Sequence, residues 1–241
     1  MKFVFDTIRV SILLGMSVLI FCQGHVEAKR KLFVPGRRGV VIDERLSALR
    51  AQPDLKASLE QRLRRGRRVG ILGAVRKRDG ATFLRVATSR NTRGWILADA
   101  VARPGSAADA NRLLNLMGET TDDFIRARLA RLFLEEFREP RFAPRALLIL
   151  GQTAERVADK LSRDVRRRIG DESTNEKPGR KFYFLNFAGL DRYNRIDVKF
   201  DYDAESDRLV YDGAVYRELL RRYPRSTEAT MLKDRIQHER K

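Results

Sequence analysis

Cysteine is nearly missing from this 241-residue chain, and histidine is almost as scarce: Cys22 stands alone, and the two histidines are His25 and His238. A single thiol forms no internal disulfide, and no group of Cys and His has the spacing of a zinc site. Long apolar runs are also few. The longest, Val10 to Phe21, is about a dozen residues, short of the ~20 that a bilayer-spanning helix needs. Lys2 and Arg9 precede it and Val26-Glu27-Ala28 places small residues where a signal peptidase reads, so residues 1–28 are expected to be an export signal. Leu19-Ile20-Phe21-Cys22 has the leucine of a lipoprotein signal but a phenylalanine where that motif takes Gly, Ala or Ser, and lipidation of Cys22 stays an open alternative. Cleavage after Ala28 removes Cys22 and His25. What remains has no cysteine nucleophile and one histidine close to the C-terminus, so no catalytic residue, metal site or cofactor is expected.

Positive charge is what the chain has in excess. Lys and Arg number 50 against 32 Asp and Glu, a net +18, and cleavage of the signal would remove two of each sign and leave that excess intact. Outside the cytoplasm such a surface is expected to meet anionic envelope polymers or lipid head groups. Nucleic acid becomes a partner only if the chain is not exported.

After a basic linker at 29–38 with Pro35-Gly36, the stretch 39–105 carries short β-rich runs divided by turn residues, Gly66 and Asp79-Gly80 among them. Within it, Leu55, Leu59 and Leu63 recur at i, i+4 and i+8, which predicts a short helix inside 54–65. Beyond Pro104-Gly105 the period becomes helical. Ser106 is an expected N-cap, Thr121-Asp122-Asp123 opens a second helix, Pro140 and Pro144 break it, and Ala154 to Ile169 carries a third apolar stripe, giving a helical segment at 106–170. A polar loop is expected at 171–181. In 182–241, Phe182, Tyr183, Phe184 and Phe187 are expected to pack on the preceding helices. Ile196 to Tyr202 alternates as a strand, Leu209-Val210-Tyr211 completes a hairpin, and two helices follow, divided by Pro224 and restarted at Ser226.

Two resemblances enter here. Leu49-Arg50, Leu63-Arg64-Arg65-Gly66, Gly80-Ala81-Thr82-Phe83-Leu84-Arg85-Val86 and Gly94-Trp95-Ile96 together resemble the bacterial SH3 domain over about a quarter of the chain. That likeness implies a small β-barrel closed by Trp95 in its core, which binds wall peptides or another protein along a surface cleft. Carried over residue by residue, it implies Arg50, Phe83, Arg85, Arg93 and Trp95 as contact residues. The arch Arg62 to Arg68 is the densest cationic patch, and Arg64, Arg65 and Arg67 join the ligand-binding candidates, since guanidinium groups grip carboxylates and phosphates through forked hydrogen bonds. Tyr216-Arg217-Glu218-Leu219-Leu220-Arg221-Arg222-Tyr223-Pro224, followed by Ser226 and Ala229, is similar to one unit boundary of a tetratricopeptide-type repeat, without a second copy at a 34-residue period. Asp201, Asp203, Glu205, Asp207 and Asp212 sit at calcium-loop spacing, but Ser206 takes the place of the required glycine and a strand precedes them, so they are not read as a metal site.

The expected fold class is therefore α+β: a small SH3-like β-barrel followed by an α-rich domain with a short β-hairpin. The expected function is an exported, periplasmic or envelope-associated adaptor without catalytic activity, which binds cell-wall peptide or an envelope protein. An accessory hydrolase working through carboxylates, with the acidic turn at 203–207 as its support, is the alternative from another class.

Overall fold

The computed structural model describes residues 36–137, 140–169 and 177–239, so the expected signal and nearly all of the linker lie outside the described residues. The chain divides into units 1–32 and 33–241, and everything described belongs to the second. The architecture is α+β. Seven strands form one antiparallel sheet: β1 (Arg37–Val41), β2 (Ala48–Arg50), β3 (Leu59–Arg62), β4 (Arg68–Arg76), β5 (Thr82–Ala87), β6 (Arg93–Leu97) and β7 (Val101–Ala102), in spatial order β3-β2-β6-β5-β4-β1-β7. Gly66 and Gly80 take φ of +80° and +87°, which side chains with a Cβ rarely adopt, and so turn the chain where the sequence placed turns. The sheet curls around an inner core of Val41, Leu49, Leu63, Val69, Val86, Ile96, Ala100 and Val101. It does not close into a barrel. β7 lasts two residues before Pro104-Gly105 leads into a helix, too short to bring the far edge β3 into the ladder.

The helix expected inside 54–65 is a turn followed by β3. Leu55 and Leu59 are exposed and only Leu63 is buried, so the three leucines have no common surface to cover. Arg50 donates to the Ala57 carbonyl and Asp54 accepts from the Lys56 N–H, which pins this turn beside β2.

The remaining helices are α1 (Ala107–Glu119), α2 (Asp123–Glu136), α3 (Ala143–Ile169), α4 (Lys177–Leu185), the single turn α5 (Asp191–Asn194), α6 (Ala214–Arg222) and α7 (Thr227–Glu239), with the hairpin β8 (Phe200–Asp203) and β9 (Arg208–Tyr211) between α5 and α6. Ser106 and Asp122 cap α1 and α2 by accepting the N–H of Asp109 and Ile125, satisfying donors that the first turn leaves free. Pro144, expected to break a helix, instead lies in the first turn of α3, where its missing N–H costs nothing. That helix runs 27 residues, well beyond the stripe read from Ala154 onward. β8 starts at Phe200 rather than Ile196, because α5 and the positive φ of Asp197 occupy the preceding residues.

One continuous apolar cluster joins these elements. It contains Leu113, Phe133, Leu147, Val157, Phe184, Tyr193, Leu209, Leu219 and Leu232, and it also takes in Val40, Ile42 and Ala102 from β1, β7 and the residue after β1. Successive residues on a strand point to opposite faces. Val41 therefore serves the inner core of the sheet while its neighbours Val40 and Ile42 serve the helices. At this seam Glu136, buried at the end of α2, receives guanidinium groups from Arg38 on β1 and Arg68 on β4. This pairing covers the β1–β7 end of the sheet's outer face and leaves the β3–β5 end open.

Candidate functional site

Register decides which side chains meet on that open end. Leu59 pairs with Arg50, Arg50 with Trp95, Trp95 with Arg85, and Arg85 with Gly73, so these five residues make one transverse row across β3, β2, β6, β5 and β4. Directly opposed residues in an antiparallel pair share a face with Cβ atoms ~4.5–5.5 Å apart. Trp95 is thus set between two guanidinium-bearing side chains. The adjoining row holds Leu97, Phe83 and Val75, and on the other side Arg93 pairs with Ala87.

Trp95 was expected in the core, and the structure corrects this. It is half-buried and faces outward, whereas Gly94 and Ile96 on either side of it face the inner core. The cause is close packing of β2 on β6: a Cβ on Gly94 would stand 2.7 Å from Leu49 Cγ and 2.9 Å from the Arg50 carbonyl oxygen, so only glycine lets Leu49 reach the inner face there. Phe83, paired with Val75 and Leu97, belongs to the same side of the sheet but is itself buried, at 2% exposure, and offers no contact surface. At the far end of the row Gly73 has open space where a Cβ would be, which leaves a shallow gap beside Arg85.

The face is also strongly cationic. Residues 61–98 contain eleven Arg and Lys and a single acid, Asp79, a local charge count that reads directly from the sequence and was missed by looking only for the 62–68 arch. Among the described residues, the side chains of Arg62, Arg64, Arg85, Arg90 and Arg93 have no hydrogen-bond or ion-pair partner. The arch does not stay together as a patch. Arg65 is half-buried and donates to the Ile42 carbonyl, and burial draws its guanidinium pKa down while Glu44 partly restores it. Arg67 donates to the Thr88 carbonyl and Arg68 to Glu136. Of the three arch candidates, Arg64 alone remains free for a ligand, so the structure brings together Arg50, Arg85, Arg93 and Trp95, with Arg50 itself held by the Ala57 carbonyl, and leaves Arg65 and Arg67 to structural contacts.

A second concavity, about 640 Å³, opens beside the inner face between the β4–β5 hairpin and the start of α1. Ile71, Ala74, Leu84 and Val101 form its apolar side, and Arg37, Asp99, Arg103, Asp109 and Arg112 its polar rim. Burial alone would raise the Asp109 carboxyl, but hydrogen bonds from Arg103 and the charge of Arg112 outweigh it and hold Asp109 below the usual carboxylate range. Arg103 and Arg112 are thereby engaged within the rim. The acidic turn is similarly occupied: Asp207 accepts from Arg180 and Tyr202, Asp203 accepts from Ser206, and among the described residues no group of three or more His, Cys, Asp or Glu converges to hold a metal.

Compared with family models, with curated proteins and with solved structures, the chain matches none.

Proposed function

We propose that this protein is an exported, non-enzymatic adaptor of the cell envelope whose outer sheet face binds an anionic, extended ligand such as a cell-wall peptide or a segment of an envelope protein. The observation that carries the reading is the Arg50–Trp95–Arg85 row. An amphipathic indole between Arg85, whose forked donors are free, and Arg50, whose guanidinium is held in place by the Ala57 carbonyl, offers an apolar platform and donors to carboxylates, on a face with no carboxylate of its own between Gln61 and Asp79 or between Asp79 and Ala98. The sequence likeness to bacterial SH3 domains, in the order of its turns and its Gly-Trp-Ile strand, supports a binding role for this face. In this reading the sheet is an open relative of that barrel, and the α6–α7 pair, with its tetratricopeptide-like Tyr-Pro turn, braces the helical part.

Co-sedimentation of the protein with purified peptidoglycan, run beside a pull-down from envelope extracts, tests this. Binding is expected to weaken at least tenfold in Trp95→Ala and in Arg50→Ser/Arg85→Ser, and to fall steeply with salt as the Debye length shrinks from ~10 Å at 0.1 M to ~3 Å at 1 M. Equal binding by parent and variants at every ionic strength overturns the assignment of the row.

A further inference from the structure

In the helical part of the molecule α4 has its amphipathic pattern turned outward. Its inner side is fixed at two points: the buried Phe184 packs on Tyr202 with ring centroids 5.0 Å apart, and Arg180 donates to both carboxylate oxygens of Asp207 at 3.0 and 2.5 Å. Helical geometry advances 100° per residue, which places Leu185, Phe182 and Tyr183 around the side away from Phe184. All three are exposed, Phe182 at 73%. Exposed apolar residues scattered singly are ordinary; three on one short, well-anchored helix face are not.

Two cations lie at its margin. Lys181 lies at its margin beside Leu185, exposed and without a partner among the described residues. The Arg168 guanidinium, exposed at the end of α3, stacks 5.0 Å from the ring of Phe187, two residues past α4, whereas Arg166 of the same helix end is committed to the Asp207 carbonyl at 2.6 Å on the inner side of α4. Among the described residues, Asp207 is the acid bonded to α4, and it is already engaged by Arg180 and Tyr202. A helix face with Phe, Tyr and Leu at its centre and Lys and Arg at its margin fits the boundary of an anionic bilayer, where aromatic rings settle among head groups and cations meet lipid phosphates.

We propose that α4 docks this protein on anionic membrane surfaces, with Phe182 inserted at the level of the head groups and Lys181 and Arg168 over the lipid phosphates. This surface is separate from the sheet row and stands or falls without it.

The test reads position 182 itself, so that the apolar stretch near the N-terminus does not confuse it. In the full chain carrying Trp95→Phe, the substitution Phe182→Trp supplies a single indole, with the fold checked by circular dichroism. Vesicles of mixed phosphatidylglycerol and phosphatidylcholine should shift its emission to the blue, and brominated lipid should quench it. Pure phosphatidylcholine should give a much weaker response. Lys181→Ser and Arg168→Ser in that background should each weaken vesicle binding about fivefold, the effect expected of one cation near an anionic surface. Emission unchanged by anionic vesicles overturns the proposal. So does a blue shift that grows with protein concentration in the absence of lipid, which would make the face a contact between two copies of the chain.

Discussion

Arginine does different work in the two halves of this molecule. In the helical half and at its seam with the sheet, arginines and one lysine close on buried acids: Arg38 and Arg68 on Glu136, Arg126, Arg156 and Lys160 on Asp123, and Arg103 and Arg112 on Asp109. On the open end of the sheet, Arg62, Arg64, Arg85, Arg90 and Arg93 meet no acid among the described residues. A net charge of +18 is silent on this distinction. The lesson is that a cation's meaning lies in whether its neighbourhood supplies an anion. A guanidinium without one is a donor set held ready for something outside the chain.

The largest loss of stability is expected in the helical core. Phe133→Ala empties a fully buried aromatic site and should cost ~3–5 kcal/mol. Because Val40, Ile42 and Ala102 belong to the same cluster, sheet and helices should still unfold together: Trp95 fluorescence and helical circular dichroism should share one shifted denaturation midpoint. Two separated midpoints would mean that the halves are independent. Next in size is a pair that compares the two faces of β6. Ile96→Ala, on the inner face, should lose ~2–5 kcal/mol, while Trp95→Ala, on the outer face, should lose clearly less despite the larger side chain. Equal losses would return Trp95 to the core.

Glu136→Gln keeps the shape of the seam but removes its charge. Hydrogen bonds to charged groups contribute ~1.5–3 kcal/mol, and since Arg38 and Arg68 are more than half exposed, a loss near the lower end is expected in chemical denaturation. The acids of the paired half also predict a pH dependence. Burial would raise Asp123, but the Lys160 hydrogen bond and the charges of Lys160, Arg156 and Arg126 bring it below its ordinary value, and Asp43 is lowered by its hydrogen bonds from Arg45. A carboxyl depressed in the folded state stabilises that state above the unfolded pKa, ~3.9 for Asp, and this stabilisation drains away as pH falls through the folded value. Melting temperature should therefore hold steady from about pH 7 to 5 with respect to these groups and drop below about pH 4. A drop already complete at pH 5 would contradict the sign of these shifts. Smallest of all is the effect on stability of the unpaired set: Arg85→Ser and Arg93→Ser should each stay within about 0.5 kcal/mol of the parent, as exposed substitutions do. A larger loss in either would show that it too is structural.

Sequence reading recovered what local signals encode. Ser106, Asp122 and Ser226 each cap a helix by a side-chain bond three residues on, Tyr216 and Leu219 follow from helical period, and the end of α6 follows from Pro224. It failed where two structures share one local pattern. Leu55, Leu59 and Leu63 are spaced at even intervals, so they fall on one side of a strand as readily as on one side of a helix, and only the absence of a covering surface decides. Gly94-Trp95-Ile96-Leu97 is apolar on both faces, and the core side is set by Leu49 pressing against Gly94, a residue 45 positions earlier in the chain. In Phe182 to Phe187 the density of aromatics suggested burial, but one α-helix cannot turn Phe182, Tyr183 and Phe184 toward the same neighbour. The candidate site was legible as residue types at Arg50, Arg85, Arg93 and Trp95. Their meeting in one row, and the departure of Arg65 and Arg67 from it, depend on register.

Between Ile71 and Gly73 the β4–β5 ladder slips by one residue, so Leu72 is the extra member of a bulge. Ile71 still faces Val86, and Gly73 still faces Arg85, on either side of it. Leu72 therefore carries no pairing information. It carries shape, since a bulge bends the strand and increases its twist. A chain lacking Leu72 would keep the same list of partners and lose the bend they are mounted on, and the Trp95 row would be spelled correctly on a surface of the wrong curvature.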